Sequence, residues 1–213
     1  MRLYLSSFRL GNKPEELLTL LAGRKRTALI HNAMDFAGSE GRAASLKREV
    51  DSLKSIGLEP TEVDLRNYFG KSDELKKALS GFDLLWVRGG NAFILRRAFR
   101  QSGADKIIKE LLANDAVVYG GYSAGIDMLT PSLHGVELVD DPNIVPERYE
   151  SPIIWDCLSI LPYSIAPHYK SDHPESADID KSVEYLIDNH VLFIALRDGE
   201  AIVRSSDKEV VVG

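Results

Sequence analysis

The sequence has little cysteine, no long apolar run and a deficit of basic charge. Cys157 is the single cysteine among 213 residues, so no disulfide can form within the chain. No stretch approaches the roughly 18 apolar residues of a membrane-spanning helix. The first residues carry a short apolar run without the small-residue cleavage site of a signal peptide. These absences predict a cytoplasmic protein that has no membrane partner.

The balance of charges argues against nucleic acid as a partner. Asp and Glu number 32 against 26 Lys and Arg, which gives a formal net charge of −6. Binding of a phosphate backbone needs a basic patch instead. Two short basic runs remain, at 24–26 and within 96–100. Such runs usually belong to solvated faces, and we expect the same here.

Apolar patterns predict strands that alternate with helices in a single domain, residues 1–213. Strands separated by helices indicate an α/β fold, with a mostly parallel sheet and helices on both faces. The last two strands should form a C-terminal β-hairpin through a turn at 205–207. Residues 131–162 carry five prolines and predict a long loop, a kind of segment that often has a function. Predicted strands lie at 3–7, 27–32, 58–65, 83–87, 116–120, 163–168, 191–196, 200–204 and 208–213, and predicted helices at 14–22, 39–56, 72–81, 91–103, 105–115, 176–190 and from 124 up to Pro131.

The stretch "VVYGGYSAGID", residues 117–127, joins a predicted strand to a predicted helix. Gly-x-Ser-x-Gly at such a junction is the pattern of a nucleophile elbow. Small neighbours let the strand and the helix approach each other, so that the Ser123 hydroxyl projects beyond the strand end. The N–H of Ala124 then points into the same space from the helix start. A glycine-rich turn with a capping serine would show the same sequence pattern. The predicted strand before it and the predicted helix after it favour a catalytic role for Ser123.

A serine hydroxyl needs a base to act as a nucleophile at neutral pH. His168 is the strongest candidate because it ends a predicted strand downstream of Ser123, and ligands of a parallel sheet collect at the carboxyl ends of strands. His31 is as consistent with a buried structural histidine as with a residue that lines the site. The remaining histidines lie in polar loops or at a helix end, and are His134, His173 and His190.

The base in turn needs an acid that orients its ring. Asp198 closely follows the predicted strand at 191–196 and is the preferred candidate. An Asp-Gly hairpin turn would explain the same residue without any catalytic role. The competing acids are Asp127, Asp140, Asp141 and Asp172.

A second strand–glycine–helix junction, "WVRGGNAF", occupies residues 86–93. The backbone N–H of Gly89 or Gly90 could supply a second donor to an oxyanion. Asn91 is placed to cap the helix that follows. A tight turn with a cap would explain these letters as well, and both explanations can hold together.

Four stretches resemble the peptidase E family, which comprises serine peptidases of the aspartyl dipeptidase and cyanophycinase type. They are "WVRGGNAFIL", "VVYGGYSAG", "SIAPHY" and "FIALRDGEAI", and they keep the family order across residues 83–213. The resemblance implies a fold like that of class I glutamine amidotransferases, with serine replacing the usual cysteine. It also implies a Ser-His-Asp triad and an oxyanion hole. The positions that match are Ser123, His168 and Asp198 for the triad, and Gly90 and Ala124 for the oxyanion hole, with Gly89 as a substitute for Gly90.

The expected function is therefore hydrolysis of short peptides, aspartyl dipeptides among them, through an acyl-enzyme that requires no cofactor. A substrate carboxylate would need a cation, and Arg88, Lys170 and Arg197 lie near the expected site, as does the amide of Asn91. Two other functions stay open. One is a non-catalytic ligand-binding member of the same fold, and the other is a cyanophycinase-like hydrolase of acidic peptides.

Two further chemistries have weaker support. A metal site built from His168, Asp172 and His173 has loose ligand spacing, so no resident metal is expected. Cys157 does not lie in a nucleophile-elbow pattern, and a lone cysteine is usually a small buried apolar residue.

The expected partner is a short peptide, and a homodimer is left open.

Overall fold

The computed structural model describes residues 1–206 and 208–213. Its elements agree with the predicted ones to within a few residues, except that the helix after Ser123 is a single turn. Asp207, in the predicted turn between the last two strands, lies outside the described residues. The strands are β1 (Arg2–Ser6), β2 (Arg26–Ile30), β3 (Glu59–Glu62), β4 (Leu84–Val87), β5 (Val118–Tyr122), β6 (Ser164–Ala166), β7 (Phe193–Ala195), β8 (Ala201–Ser205) and β9 (Lys208–Val212). The helices are α1 (Pro14–Leu21), α2 (Gly38–Ser55), α3 (Ser72–Leu79), α4 (Ala92–Ser102), α5 (Ala104–Ala113), α6 (Ala124–Asp127) and α7 (Ser176–Asp188).

The central sheet has the order β3-β2-β4-β5-β1-β8-β9 in the described part of the chain. The first five strands in that order are parallel, whereas β8 pairs antiparallel with β1 and β9 pairs antiparallel with β8. The prediction of a mostly parallel sheet that ends in a C-terminal hairpin is confirmed. None of the described helices is both long and apolar enough to span a bilayer.

Both faces of the sheet are covered by helices, which is why its central strands are continuously apolar. Alternate residues of β1 illustrate the arrangement. Leu3 and Leu5 pack in the core that includes Phe93 of α4, while Tyr4 packs on the opposite face with Leu17 of α1. With both faces covered, substrate can approach the sheet only along its edges and at the ends of its strands.

Strands β6 and β7 do not join the central sheet. They pair with each other in parallel as a separate two-stranded sheet, with Ala166 opposite Ala195. The backbone pairing continues past the strands, since the N–H of Leu196 donates to Ala166 O and the N–H of Tyr169 donates to Leu196 O, each at 2.9 Å. Because parallel partners run in the same direction, the residues that follow these two strands emerge side by side.

Hydrogen bonds from α4 anchor the long loop 131–162. The arginines of α4 that lie beneath this loop are buried, which differs from the prediction made for them. The basic run within 96–100 was expected on a solvated face, but Arg96 and Arg97 are only 2% and 1% exposed. The Arg97 guanidinium donates to carbonyl oxygens of Pro142, Ile144, Ser151 and Pro152. A loop without regular structure leaves its carbonyls in need of donors, and Arg97 supplies them from the protein interior.

Candidate active site

Ser123 lies in a strained turn between β5 and α6. Its φ and ψ are 50° and −129°, a combination that L-residues rarely adopt and that is concentrated at functional sites. The two glycines of Gly-x-Ser-x-Gly allow this turn to touch β4, because a side chain at Gly121 or Gly125 would overlap the Val87 carbonyl. The sequence pattern therefore has a steric cause: it lets the serine stand at the carboxyl end of β5, against the neighbouring strand.

His168 and Asp198 form a hydrogen-bonded pair beside this turn. The Nδ1 atom of His168 lies 2.7 Å from Asp198 Oδ1, and both residues follow the paired strands β6 and β7 at their carboxyl ends. The His168 ring is buried, and His168 lines the same two cavities as Ser123. The Asp-Gly hairpin turn considered for Asp198 does not occur, since β7 and β8 belong to different sheets.

The surroundings of His168 favour a neutral ring. Burial lowers its pKa below the usual 6.5, against the opposing effect of the Asp198 carboxylate. His173 stacks on the ring at 3.7 Å between centroids, and Glu175 Oε2 lies 3.9 Å from His168 Nε2. A neutral imidazole whose Nδ1 is fixed by an acid has a free Nε2 that can accept a proton, which is what a general base requires.

Ser7 is a component of this site that sequence reasoning missed. It follows β1 and is completely buried. Its Oγ accepts a hydrogen bond from the backbone N–H of His168 at 2.8 Å and donates to Asp198 Oδ1 at 2.9 Å. One hydroxyl therefore fixes both members of the His–Asp pair. The letters "LYLSSF" carry no signal of this role, because it arises only when β1 and β6 come together.

We expect Ser7→Ala to lower kcat about 10- to 100-fold while KM changes little. The variant removes one hydrogen bond to a charged group and leaves the buried His168 N–H without an acceptor. Steady-state kinetics measures the effect, with Ser6→Ala as the matched control. The Ser6 hydroxyl is also buried, but it donates to Phe8 O rather than to the His–Asp pair. Equal losses in both variants, or a loss confined to KM, would contradict a positioning role for Ser7.

The β4–α4 junction lies against the serine turn. A Cβ added to Gly89 would stand 2.8 Å from Ser123 Cβ, and one added to Gly90 would stand 2.6 Å from Ala33 O. Gly90 also has a φ of 140°, which side chains rarely adopt. In the described part of the chain, the N–H groups of Gly90 and Ala124 donate no hydrogen bond. These donors are therefore available to a developing oxyanion.

The four predicted substrate-binding residues are not all brought to the site. Arg88 lines the open cavity in front of Ser123. Asn91 is buried as the cap of α4, accepting from the N–H of Ile94 at 3.0 Å and donating to Asp141 O at 3.0 Å. Lys170 and Arg197 are exposed and line neither cavity next to Ser123. The structure thus leaves Arg88 as the predicted cation that substrate in this cavity can reach.

Two cavities meet at Ser123 and His168. The open one, of about 200 Å³, is lined by aromatic and apolar side chains together with Arg88, His173 and Glu175. The enclosed one, of about 20 Å³, is acidic, since Asp127, Asp140 and Glu175 line it. A larger cavity of about 590 Å³ lies away from Ser123, beside α3, α4 and α5. Besides Ser123 and His168, the side chains of the open cavity that could contact a substrate are Phe8, Met34, Phe36, Arg88, Tyr122, His173 and Glu175.

The remaining candidates for chemistry are placed as follows. His31 is buried and bonded to Ser45 Oγ at 3.1 Å, and burial lowers its pKa to about 3. Cys157 is buried with a pKa raised to about 12, which leaves it a poor nucleophile. The alternative metal site differs from the predicted one in one ligand. The potential ligand atoms that lie within 4.8 Å of one another belong to His168, His173 and Asp198. Asp172, which was predicted in place of Asp198, is exposed.

Comparison with known proteins agrees with a hydrolase built around an activated serine. The model of peptidase family S51 matches residues 11–212. An uncharacterised peptidase of Listeria innocua is 30% identical over 160 residues, which is 72% of this chain and 73% of the relative. A Drosophila melanogaster protein named "Probable alpha-aspartyl dipeptidase" is 26% identical over 161 residues, covering 73% of this chain and 63% of that protein.

A peptidase E of Shewanella denitrificans is 26% identical over 219 residues, covering 99% of this chain and 87% of the relative. Among solved structures, a Listeria monocytogenes protein described as a "Putative Peptidase E Protein" has a TM-score of 0.79 at 23% identity, over 99% of this chain and 97% of that one, and shows the shared fold. The class is therefore that of the serine peptidases. The chain belongs to peptidase family S51.

Proposed function

We propose that this peptidase cleaves short peptides through a Ser123–His168–Asp198 triad and a covalent acyl-enzyme. One observation carries the proposal: a serine in a strained strand-to-helix turn lines the same cavities as a buried histidine that is bonded to an acid. Nucleophile, base and orienting acid are the three parts that such a mechanism needs. The order Ser, His, Asp along the chain follows from the fold, because β6 and β7 come after β5.

The proposed reaction has two steps. Ser123 Oγ attacks the peptide carbonyl while His168 Nε2 takes its proton, and Asp198 stabilises the imidazolium through Nδ1–H. The N–H groups of Gly90 and Ala124 hold the oxyanion, each worth roughly 10²- to 10³-fold in rate by analogy with donors deleted in other hydrolases. The imidazolium protonates the leaving amine, and water then hydrolyses the acyl-enzyme with His168 acting again as the base. These steps require no cofactor.

The pH dependence of serine reactivity should report the pKa of His168. The base must be neutral, and burial lowers its pKa, so reactivity should fall with acid only below pH 6.5. The rate of labelling by a fluorophosphonate probe measures this without a charged substrate. A half-maximal rate above pH 6.5 would contradict His168 as the base in its observed environment.

The size of the open cavity favours short peptides as substrates, and the positive charge of Arg88 is suited to an acidic peptide. The open cavity of about 200 Å³ accommodates roughly a side chain or two rather than a folded protein. Arg88 could pair with the C-terminal carboxylate of a dipeptide or with an aspartate side chain. After short peptides in general, an aspartyl dipeptide is therefore the second candidate substrate. It is the substrate that appears in the name of the Drosophila relative. Acidic polymers of the cyanophycin type are the third.

Two measurements test the proposal. A fluorophosphonate should label Ser123, and the label should be lost in Ser123→Ala. A release assay over dipeptides and tripeptides then identifies the preferred first residue. A folded protein that is neither labelled nor active on any peptide would instead be a binding member of the fold. Stoichiometric zinc in the purified protein, lost in His173→Ala, would favour the alternative metal site.

A further inference from the structure

The cavity of about 590 Å³ beside α3, α4 and α5 has no part in the proposed peptidase reaction. None of the residues that line it also lines either cavity at Ser123. The beginnings of α3 and α5 and the end of α4 form its walls, together with Asp156, Cys157 and Leu158 of the long loop. A cavity of this volume can accommodate a small organic molecule.

Basic side chains outnumber acidic ones in the lining of this cavity, although the formal net charge of the protein is −6. Five of the lining residues are Lys or Arg, and three are Asp. Lys76 already pairs with Glu110 at 2.8 Å. Lys106 and Lys109 of α5 are exposed and form no ion pair within the described part of the chain. The cavity therefore carries positive charge that would attract an anion.

Arg96 is the residue of this cavity that lacks a partner. Its side chain is only 2% exposed, and its Nε donates to Asp156 O at 2.6 Å. Nη1 has no hydrogen-bond acceptor among the described residues, and Nη2 stands 3.6 Å from Asp105 Oδ2, which is longer than a hydrogen bond. The carboxylates of Asp105 and Asp156 are shared with Arg100, at 3.4 and 3.5 Å. A buried guanidinium whose terminal nitrogens lack acceptors is costly, and an anion in the cavity would supply them.

The arrangement of these cations favours a phosphate group over a carboxylate. The Arg96 guanidinium is held at Nε and presents its two terminal nitrogens in one plane, which matches two oxygens of either anion. Lys106 and Lys109 add positive charge from α5, whose N-terminus also lies at the cavity. A phosphate group has a third oxygen for these additional cations, and a carboxylate does not.

Part of the cavity lining is apolar. Ile107, Cys157 and Leu158 are buried residues that line it. They would contact an organic group attached to the phosphate, and the volume of about 590 Å³ exceeds what a phosphate ion alone would occupy. The expected ligand therefore combines an anionic group with an apolar body.

We propose that this cavity binds a small phosphate ester, with Arg96 as the direct partner of the phosphate group. The inference goes beyond the proposed peptidase function and does not depend on it, because the cavity shares no residue with those at Ser123. Peptide hydrolysis neither consumes nor forms a phosphate. The ester is thus a bound ligand of this protein and not its substrate.

Calorimetry with three probes tests the chemistry of the site. Phenyl phosphate carries both the phosphate and an apolar ring, inorganic phosphate lacks the ring, and benzoate replaces the phosphate by a carboxylate. We expect phenyl phosphate to bind about 10-fold more tightly than either of the others, and its affinity to fall as the salt concentration rises. Equal or tighter binding of benzoate would overturn the inference, and so would a folded protein that does not bind phenyl phosphate.

Variants establish where the probe binds. Arg96→Lys keeps the charge but removes the planar pair of donors, so we expect it to bind phenyl phosphate at least about 10-fold more weakly. Lys106→Ala, at an exposed residue, should weaken binding about 3- to 10-fold and serves in case Arg96→Lys does not fold. Lys77→Ala is the matched control, since Lys77 is exposed on α3 outside the cavity and its loss should leave the affinity unchanged.

Three results would contradict this location. The first is unchanged affinity in the folded cavity variants, and the second is an equal loss in Lys77→Ala. The third is a loss in Arg88→Ala alone, which would place the probe in the open cavity at Ser123. Retained affinity in Arg88→Ala together with a loss in Arg96→Lys or Lys106→Ala would support a separate phosphate site.

Discussion

Replacing Ser123 by alanine should lower kcat at least about 10⁴-fold and leave the fold intact. A triad acts as a unit, so loss of its nucleophile removes nearly all of the chemistry that the unit performs. The residual rate acceleration should come from the oxyanion donors and from substrate binding. Peptide release measured by chromatography quantifies the loss, and circular dichroism checks the fold.

Ser159→Ala is the matched control for this variant. Ser159 also has a positive φ, of 51° against 50° for Ser123, so the same substitution is made at a residue with a closely similar φ. It is exposed and lies outside both cavities at the site. Activity that survives in Ser123→Ala, or is lost equally in Ser159→Ala, would mean that the hydroxyl at 123 is not the nucleophile.

Asp198→Asn should lower kcat by about 10⁴-fold with little change in KM. The amide has nearly the shape of the carboxylate, but it can donate a hydrogen bond to His168 Nδ1 and so stabilise the wrong tautomer of the ring. It also cannot stabilise the imidazolium that forms when Ser123 gives up its proton. Ser7 would lose its charged acceptor as well, which loosens the backbone at His168.

Asp172→Asn provides the comparison, because Asp172 is exposed in the loop after His168 and takes no part in the hydrogen bonds described here for His168 and Asp198. Kinetics at several pH values should show the large loss in Asp198→Asn only. If Asp198→Asn lost less than about 10-fold, the orienting acid would have to be sought elsewhere, and Asp140 would be the next candidate in the cavity.

Local features of the sequence allowed much of the site to be predicted. The serine turn was recognisable because Gly-x-Ser-x-Gly between a strand and a helix is a pattern of adjacent residues, although the contact that its glycines permit is with Val87 of the neighbouring strand β4. Their positions after predicted strands selected His168 and Asp198, the resemblance to peptidase E pointed to the same two residues, and the structure brings them together. Their catalytic roles remain predictions that the variants above test. Asn91 was correctly expected as a helix cap, because capping also depends on adjacent residues alone.

Contacts between distant segments escaped sequence reasoning. Arg97 was assigned to a solvated face because helical spacing shows which residues share a side but not that a proline-rich loop will cover it. Ser7 carries no motif, yet its hydroxyl joins His168 to Asp198 from 161 and 191 residues away along the chain. Lys170 and Arg197 are near the site in sequence but turn towards solvent.

By itself the sequence determined the alternation of strands and helices, the buried sheet and the strained serine turn. Each of these depends on apolar periodicity or on the bulk of neighbouring residues. The tertiary structure alone decided that β6 and β7 form a sheet of their own, that Ser7 fastens the His–Asp pair, and that three acids gather around a cavity at the nucleophile. The reason is physical: backbone pairing and burial bring together groups far apart in the chain, and no local pattern records which ones will meet.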